Sequence, residues 1–179
     1  MTSSATRTVS VPVSAVPSIA THDVGLLLLR LALGLTMAAH GAQKLFGWFG
    51  GRGIEGTGKF FASVGYGSGE VMAVVAGMSE ILGGLGVVLG LLTPLAGAAV
   101  VGVMVNAIAV KWDGGFFAPL GMEFELLLAM VAITLILVGP GRYALDRFLP
   151  VTRSFRPTHG LLALVIAAVT AGGVLLMRT

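Results

Sequence analysis

Five apolar stretches, at residues 24–45, 70–92, 94–111, 123–139 and 160–177, take up more than half of this chain. Each is close to the roughly 20 residues that a helix needs, at about 1.5 Å per residue, to cross a hydrocarbon layer. A water-soluble fold with this pattern would be covered in bare apolar surface. Composition agrees, with 56% hydrophobic and 11% charged residues and a mean hydropathy of +0.97. The stretches are too long and too uniformly apolar for the alternating strands of a membrane β-barrel. The chain is therefore expected to be an all-α, multi-pass integral membrane protein, with the lipid bilayer as its first partner.

Glycine is frequent, 27 of 179 residues, as expected where helices associate by close packing rather than by expelling water. Small residues recur one turn apart in the pairs Gly34 and Ala38, Gly86 and Gly90, and Ala98 and Gly102. Cysteine is absent, so thiol relays and thiolate-held iron–sulfur clusters are not expected of this subunit acting alone. No histidine and carboxylate spacing matches a strong metal motif, and no metal or covalent cofactor is expected. The formal charge of +3 comes without a basic stripe interleaved with aromatics, and no nucleic-acid partner is expected.

Residues 1–23, rich in Ser, Thr, Val and Pro, read as a disordered tail. The first apolar segment is long enough to stay in the membrane as a signal anchor. Pro94, after Leu91–Leu92–Thr93, sits where the first turn of a new helix would begin and its missing N–H costs nothing, which forces the second and third segments into an antiparallel hairpin. The longer connection at 46–69 is rich in glycine and holds Trp48, Phe49, Phe60 and Phe61, rings suited to the headgroup level. A short surface helix is expected there, near 56–64. Arg142, Arg147, Arg153 and Arg156 crowd one connection on the side of the N-terminus, and the positive-inside bias puts both in the cytoplasm.

Ionisable groups inside the apolar stretches are the functional candidates, since a charge in hydrocarbon costs a few kcal/mol or more and faces a partner or a wet cavity. Glu80 lies mid-span and leads them; the alternative is a hydrogen-bonded structural acid. His40 and Lys44 lie near the outer end of the first helix, where Lys44 either joins a site or snorkels to the headgroups. Asn106, and Glu123 with Glu125 at the start of the fourth helix, reach the same outer half. The two acids are two residues apart, so one faces the bundle and the other serves the positive helix end. Asn106 has the competing role of interhelical glue. Arg30, deep on the other side, either snorkels inward or pairs with Glu80.

Read in order, the segments HGAQKLFG from His40, EILGGLGVVLGLLTP from Glu80, GMEFELL from Gly121 and GPGRYALD from Gly139 resemble the DoxX family. The resemblance covers about residues 24–148. It implies an antiparallel four-transmembrane-helix core at 24–148, with a linker and a fifth C-terminal transmembrane helix at 149–179. It carries motif positions onto Gly41, Gly84, Gly90, Gly139, Gly141 and Asp146 as well as onto His40, Lys44, Glu80 and Glu125. By its name the family is associated with membrane oxidoreductase systems, including quinone-linked and oxidative-stress complexes. The resemblance thus favours a non-catalytic membrane subunit with soluble oxidoreductase or stress-response partners and a polar pocket for a quinone or other small molecule; the plasma membrane is the expected location, and the oligomeric state, a homo-oligomer included, stays open. A small-solute carrier and a purely structural anchor are the competing readings.

Overall fold

The computed structural model describes residues 19–150 and 157–178. Among them the chain is all-helical, with six α-helices: α1 (Ile19–Phe46), α2 (Gly53–Ser63), α3 (Gly69–Leu89), α4 (Thr93–Lys111), α5 (Glu123–Val138) and α6 (Pro157–Leu176). Four of them, α1, α3, α4 and α6, are long and apolar enough to cross a membrane. The expected fourth span at 123–139 forms α5, which at 16 residues is shorter than the other four. Most of the expected tail, residues 1–18, and Arg153 and Arg156 of the arginine connection lie outside the described residues.

Residues 19–23, expected as part of the tail, are helical in α1, and the Asp23 carboxylate there accepts the Arg142 backbone N–H at 2.9 Å. Helix α3 stops at Leu89, where Gly90 turns left-handed (φ 62°). Pro94 then stands in the first turn of α4. The expected surface helix is present as α2, slightly earlier at Gly53–Ser63.

Helices α1 and α3 run antiparallel along a seam of glycines. Gly34 and Gly41 on α1 face Gly84 and Gly77 on α3, and a Cβ built on Gly41 or on Gly84 would fall 2.6 Å from the opposing glycine's carbonyl oxygen. Backbones meet there without side chains between them, which recovers the dispersion contacts that drive association in lipid. Helix α4 packs on α3, α5 and α6, so α1, α3, α4 and α5 enclose an interior with α6 outside it against α4 and α5. The core is Leu33, Met37, Val87, Val100, Leu135 and Ile136 with many alanines.

The bundle has two different ends. At the hairpin end lie the start of α1, the α3–α4 turn and the 139–149 connection. At the other end Trp48, Phe49, Trp112, Phe116 and Phe117 are all exposed, a girdle of rings of the kind that settles at a membrane surface.

Candidate functional site

At the hairpin end, Arg30 is 1% exposed. Its Nε donates to the Val87 carbonyl (2.9 Å), Nη2 to Val88 (2.6 Å), and Nη1 to both Pro140 (3.0 Å) and Tyr143 (2.7 Å). Two of these acceptors are among the last carbonyls of α3, which have no partner within their helix and carry the negative end of its dipole. Arg30 thus neither snorkels to the interface nor pairs with Glu80, the two expectations for it; it closes α3 and ties it to the following connection. Asp146 does the same for the next helix. Its Oδ1 accepts from Leu92 N–H (2.7 Å), its Oδ2 from Thr93 N–H (2.9 Å), and its own N–H donates to the Gly90 carbonyl (2.8 Å). This is an N-cap supplied from 53 residues away. Leu92, at φ 47°, is held by that bond in a conformation few side chains adopt. A Cβ on Gly90 would meet the Arg30 guanidinium at 2.7 Å, so this motif glycine is required by both its φ and its neighbour.

About 21 Å further along α1, counting 14 residues at 1.5 Å each, a second group of charges surrounds a cavity of about 530 Å³. Lys44 Nζ straddles the Glu80 carboxylate, 2.8 Å from Oε1 and 2.7 Å from Oε2. Glu80 is 2% exposed. Lys111 Nζ, at the end of α4, lies 2.6 Å from Glu125 Oε1 on α5, while Glu125 Oε2 is buried without a hydrogen-bond partner. The His40 ring packs at 5.9 Å against Phe124. Four helices thus bring two acids, two ammonium groups and an imidazole to one cavity.

Of the six residues singled out from the sequence, His40, Lys44, Glu80, Asn106 and Glu125 line this cavity and Glu123 does not. Glu123 accepts the Ala118 N–H at 3.0 Å, steadying the loop before α5. Asn106 stands at the rim and its side chain is engaged: Nδ2 donates to Gly102 (3.0 Å) and reaches Ala171 (3.5 Å), and Oδ1 accepts from the Tyr66 hydroxyl (3.0 Å). Burial pushes the Tyr66 phenol above its ordinary range, so it remains a donor at neutral pH. Of the motif positions, Gly41 and Gly84 belong to the α1–α3 seam. Gly90 and Asp146 belong to the lock around Arg30, as does Gly141, left-handed and close to Asp23. Gly139 ends α5 at φ 92°.

Lys111, Tyr66 and Phe124 were not singled out as site residues from the sequence, and Phe60 and Phe61 only as headgroup rings, yet all five line the cavity. A signal for Lys111 was present: two intramembrane acids at one depth call for two cations, and it is the cation nearest Glu125 in the sequence. Among the described residues no three histidines and carboxylates are grouped to hold a metal ion.

The matched family model, DoxX, covers residues 25–112, from within the first turns of α1 to just past the end of α4. A protein of Bacillus subtilis (strain 168) named "Putative oxidoreductase CatD" is 36% identical over 127 residues, 70% of this chain and 87% of that relative. The chain belongs to the DoxX family. In this DoxX protein the matched region supplies Lys44, Glu80 and Lys111, while Glu125 and the Asp146 lock lie beyond it. No solved structure matches the chain.

Proposed function

We propose that this DoxX protein is the ligand-binding membrane subunit of an oxidoreductase system, and that its cavity takes a quinone or another small molecule with hydrogen-bonding oxygens. The observation that carries this reading is the meeting of two ion pairs from four helices around a cavity of about 530 Å³. Ligand sites are mostly apolar cavities of a few hundred Å³ with a small number of placed polar groups. Lys44 and Lys111 offer donors to carbonyl oxygens, and Glu80, Glu125 and His40 accept or hold protons beside them. The chain supplies no thiol, so electrons would come from a soluble partner. The exposed connection bearing Arg142 and Arg147 is the docking face we assign to it.

In this reading α5 is a short fifth span, and the four-helix core of α1, α3, α4 and α5 is completed by α6. The protein lies in the plasma membrane with the hairpin end, and so the N-terminus, in the cytoplasm, and a homo-oligomer is compatible with that arrangement. Cysteines introduced as Asp113→Cys and Arg147→Cys test the orientation: an impermeant thiol reagent should label only the first in intact cells, and labelling of the second alone would reverse it.

The site itself is tested with a benzoquinone carrying no long chain. Replacing Lys44→Met and Glu80→Gln together removes a charged donor along with its ion-pair partner, so that neither is left unpaired. Binding should weaken by about 10- to 100-fold, the loss expected when hydrogen bonds to charged groups are removed. A stable double variant that binds as the parent does would reject the site.

A further inference from the structure

The cavity is larger than its charged end requires, and the excess runs along α4. Near the hairpin α3 and α4 are pressed together: a Cβ on Gly86 would lie 2.8 Å from Ala96 Cβ, and one on Gly83 3.1 Å from the Ala96 carbonyl. Toward the aromatic end the same two helices part, and Met72, Val75 and Ala76 face Ala107 and Val110 across the cavity instead. On α4, Ala98, Ala99, Gly102 and Ala107, with at most a methyl group each, form a small-residue stretch of the cavity lining, beside the larger Val103 and Met104.

Glycines in membrane helices ordinarily let a neighbouring backbone approach, as Gly34 and Gly84 do here. Gly102 is not used that way. A Cβ there would find only Thr170 Oγ1 at 3.9 Å and the Ala167 carbonyl at 4.0 Å, so the missing side chain leaves open space. Thr170 turns its hydroxyl back to the Ile166 carbonyl of its own helix, 2.8 Å away, which keeps that wall apolar. The outer edges of the channel are exposed, Val75 at 47%, Leu95 at 50% and Ile166 at 39%. All three sit on helices long enough to span the membrane, so the opening faces hydrocarbon rather than water.

We infer that the cavity opens sideways into the bilayer between α3 and α6, and that its ligand is a single-chain amphiphile. The head is held among the Lys44–Glu80 and Lys111–Glu125 pairs and the tail lies on the small-residue stretch of α4. From Ala107 to Ala98 that stretch runs for about 14 Å, nine residues at 1.5 Å each. The inference rests on the head-group site proposed above and adds the class of molecule and its route of entry.

Two probes separate the two claims: a benzoquinone with a decyl chain, and the same ring with a methyl group in its place. Equilibrium binding is measured on the full chain in nanodiscs, for the parent and for Gly102→Leu, with Ala107→Leu as a second filling variant should the first not fold. Filling that stretch should weaken binding of the decyl probe by about tenfold, the loss expected when roughly two methylene groups are kept from an apolar site, with the methyl probe changed less than twofold. Equal affinity of the parent for the two probes, no effect of either filling variant, or equal losses for both probes would overturn the tail channel and leave the head site standing. Binding of decanol as tight as that of the decyl probe would make the channel a slot for any lipid chain and overturn the proposal. Failure of the parent to bind either probe would overturn the head site and this inference with it.

Discussion

At the hairpin end Arg30 and Asp146 are 1% and 3% exposed, and each polar atom named there has a short bond to backbone: four carbonyls for the guanidinium, two N–H groups for the carboxylate. At the aromatic end Lys44, Glu80, Lys111 and Glu125 are paired side chain to side chain, border a cavity, and leave Glu125 Oε2 without a partner. Both groups bury charge where it is costly. In the first the backbone answers both charged groups, and the buried polar atom left without a partner there is the uncharged hydroxyl of Thr93. In the second the polar groups answer one another in part and space is left beside them. Charge inside a membrane protein is thus not one signal: the separating features are the kind of partner, backbone or side chain, and the presence of a void.

The comparison breaks most readily at Arg30. Replacing Arg30→Met strips four carbonyls and leaves Asp146 without its neighbouring cation. Removing one member of such a buried network costs about 3–5 kcal/mol, so we expect the largest fall in thermal unfolding temperature in detergent of all the variants considered. A melting temperature within error of the parent would show that the lock is not structural.

Next in size is the seam that the lock holds in register. A methyl at Gly34→Ala would lie 2.6 Å from Val88 Cγ2 and 2.9 Å from Val88 N, so the helices must part, at about 1–3 kcal/mol for an overpacked contact. The same substitution at Gly102 meets nothing closer than 3.9 Å and should leave the melt unchanged. Equal effects at the two glycines would contradict the distinction between a glycine used for packing and one used for space.

At the cavity, Lys44→Met alone leaves Glu80 buried and unpaired, and should destabilise more than Lys44→Met with Glu80→Gln. The cycle built from the two single variants and the double should show a coupling of about 0.5–3 kcal/mol, read from the melts. Additive effects would mean that the pair, 2.7 Å apart, is not an energetic unit. The smallest effect belongs to Glu123, outside the cavity: Glu123→Gln should shift stability by no more than about 0.5 kcal/mol and leave ligand binding as it is.

Much of this was legible in the sequence. Four of the five spans follow from apolar length, the α3–α4 hairpin from Pro94, and the surface helix from a glycine-rich connection with paired phenylalanines. Glu80, His40 and Lys44 stood out because charge in an apolar run needs a reason. Arg30 could not be read correctly, because its partners are backbone carbonyls from two other segments and every residue has a carbonyl. Lys111 was missed, although two acids called for two cations, because its partner Glu125 lies across a loop whose reversal rests on backbone hydrogen bonds at Gly115 and Gly121. Asn106 stood out for the right polarity, yet its amide is taken up by Gly102 of its own helix, by Tyr66 from the turn before α3 and by Ala171 of α6, two of them partners that only the tertiary fold brings near. The length of α5 was overestimated by a single residue, since Gly139 is as apolar as a span continuing through it would be.

The central claim is that the hairpin-end charges hold the fold and the cavity charges hold a ligand. It is tested most directly by measuring thermal unfolding and benzoquinone binding on the same preparations of Arg30→Met and of Lys44→Met with Glu80→Gln. The paired cavity variant should stay within about 1 kcal/mol of the parent in stability while its binding falls by about tenfold or more, and Arg30→Met should lose stability first. A cavity variant that loses stability and binding in step, or keeps both, would contradict it.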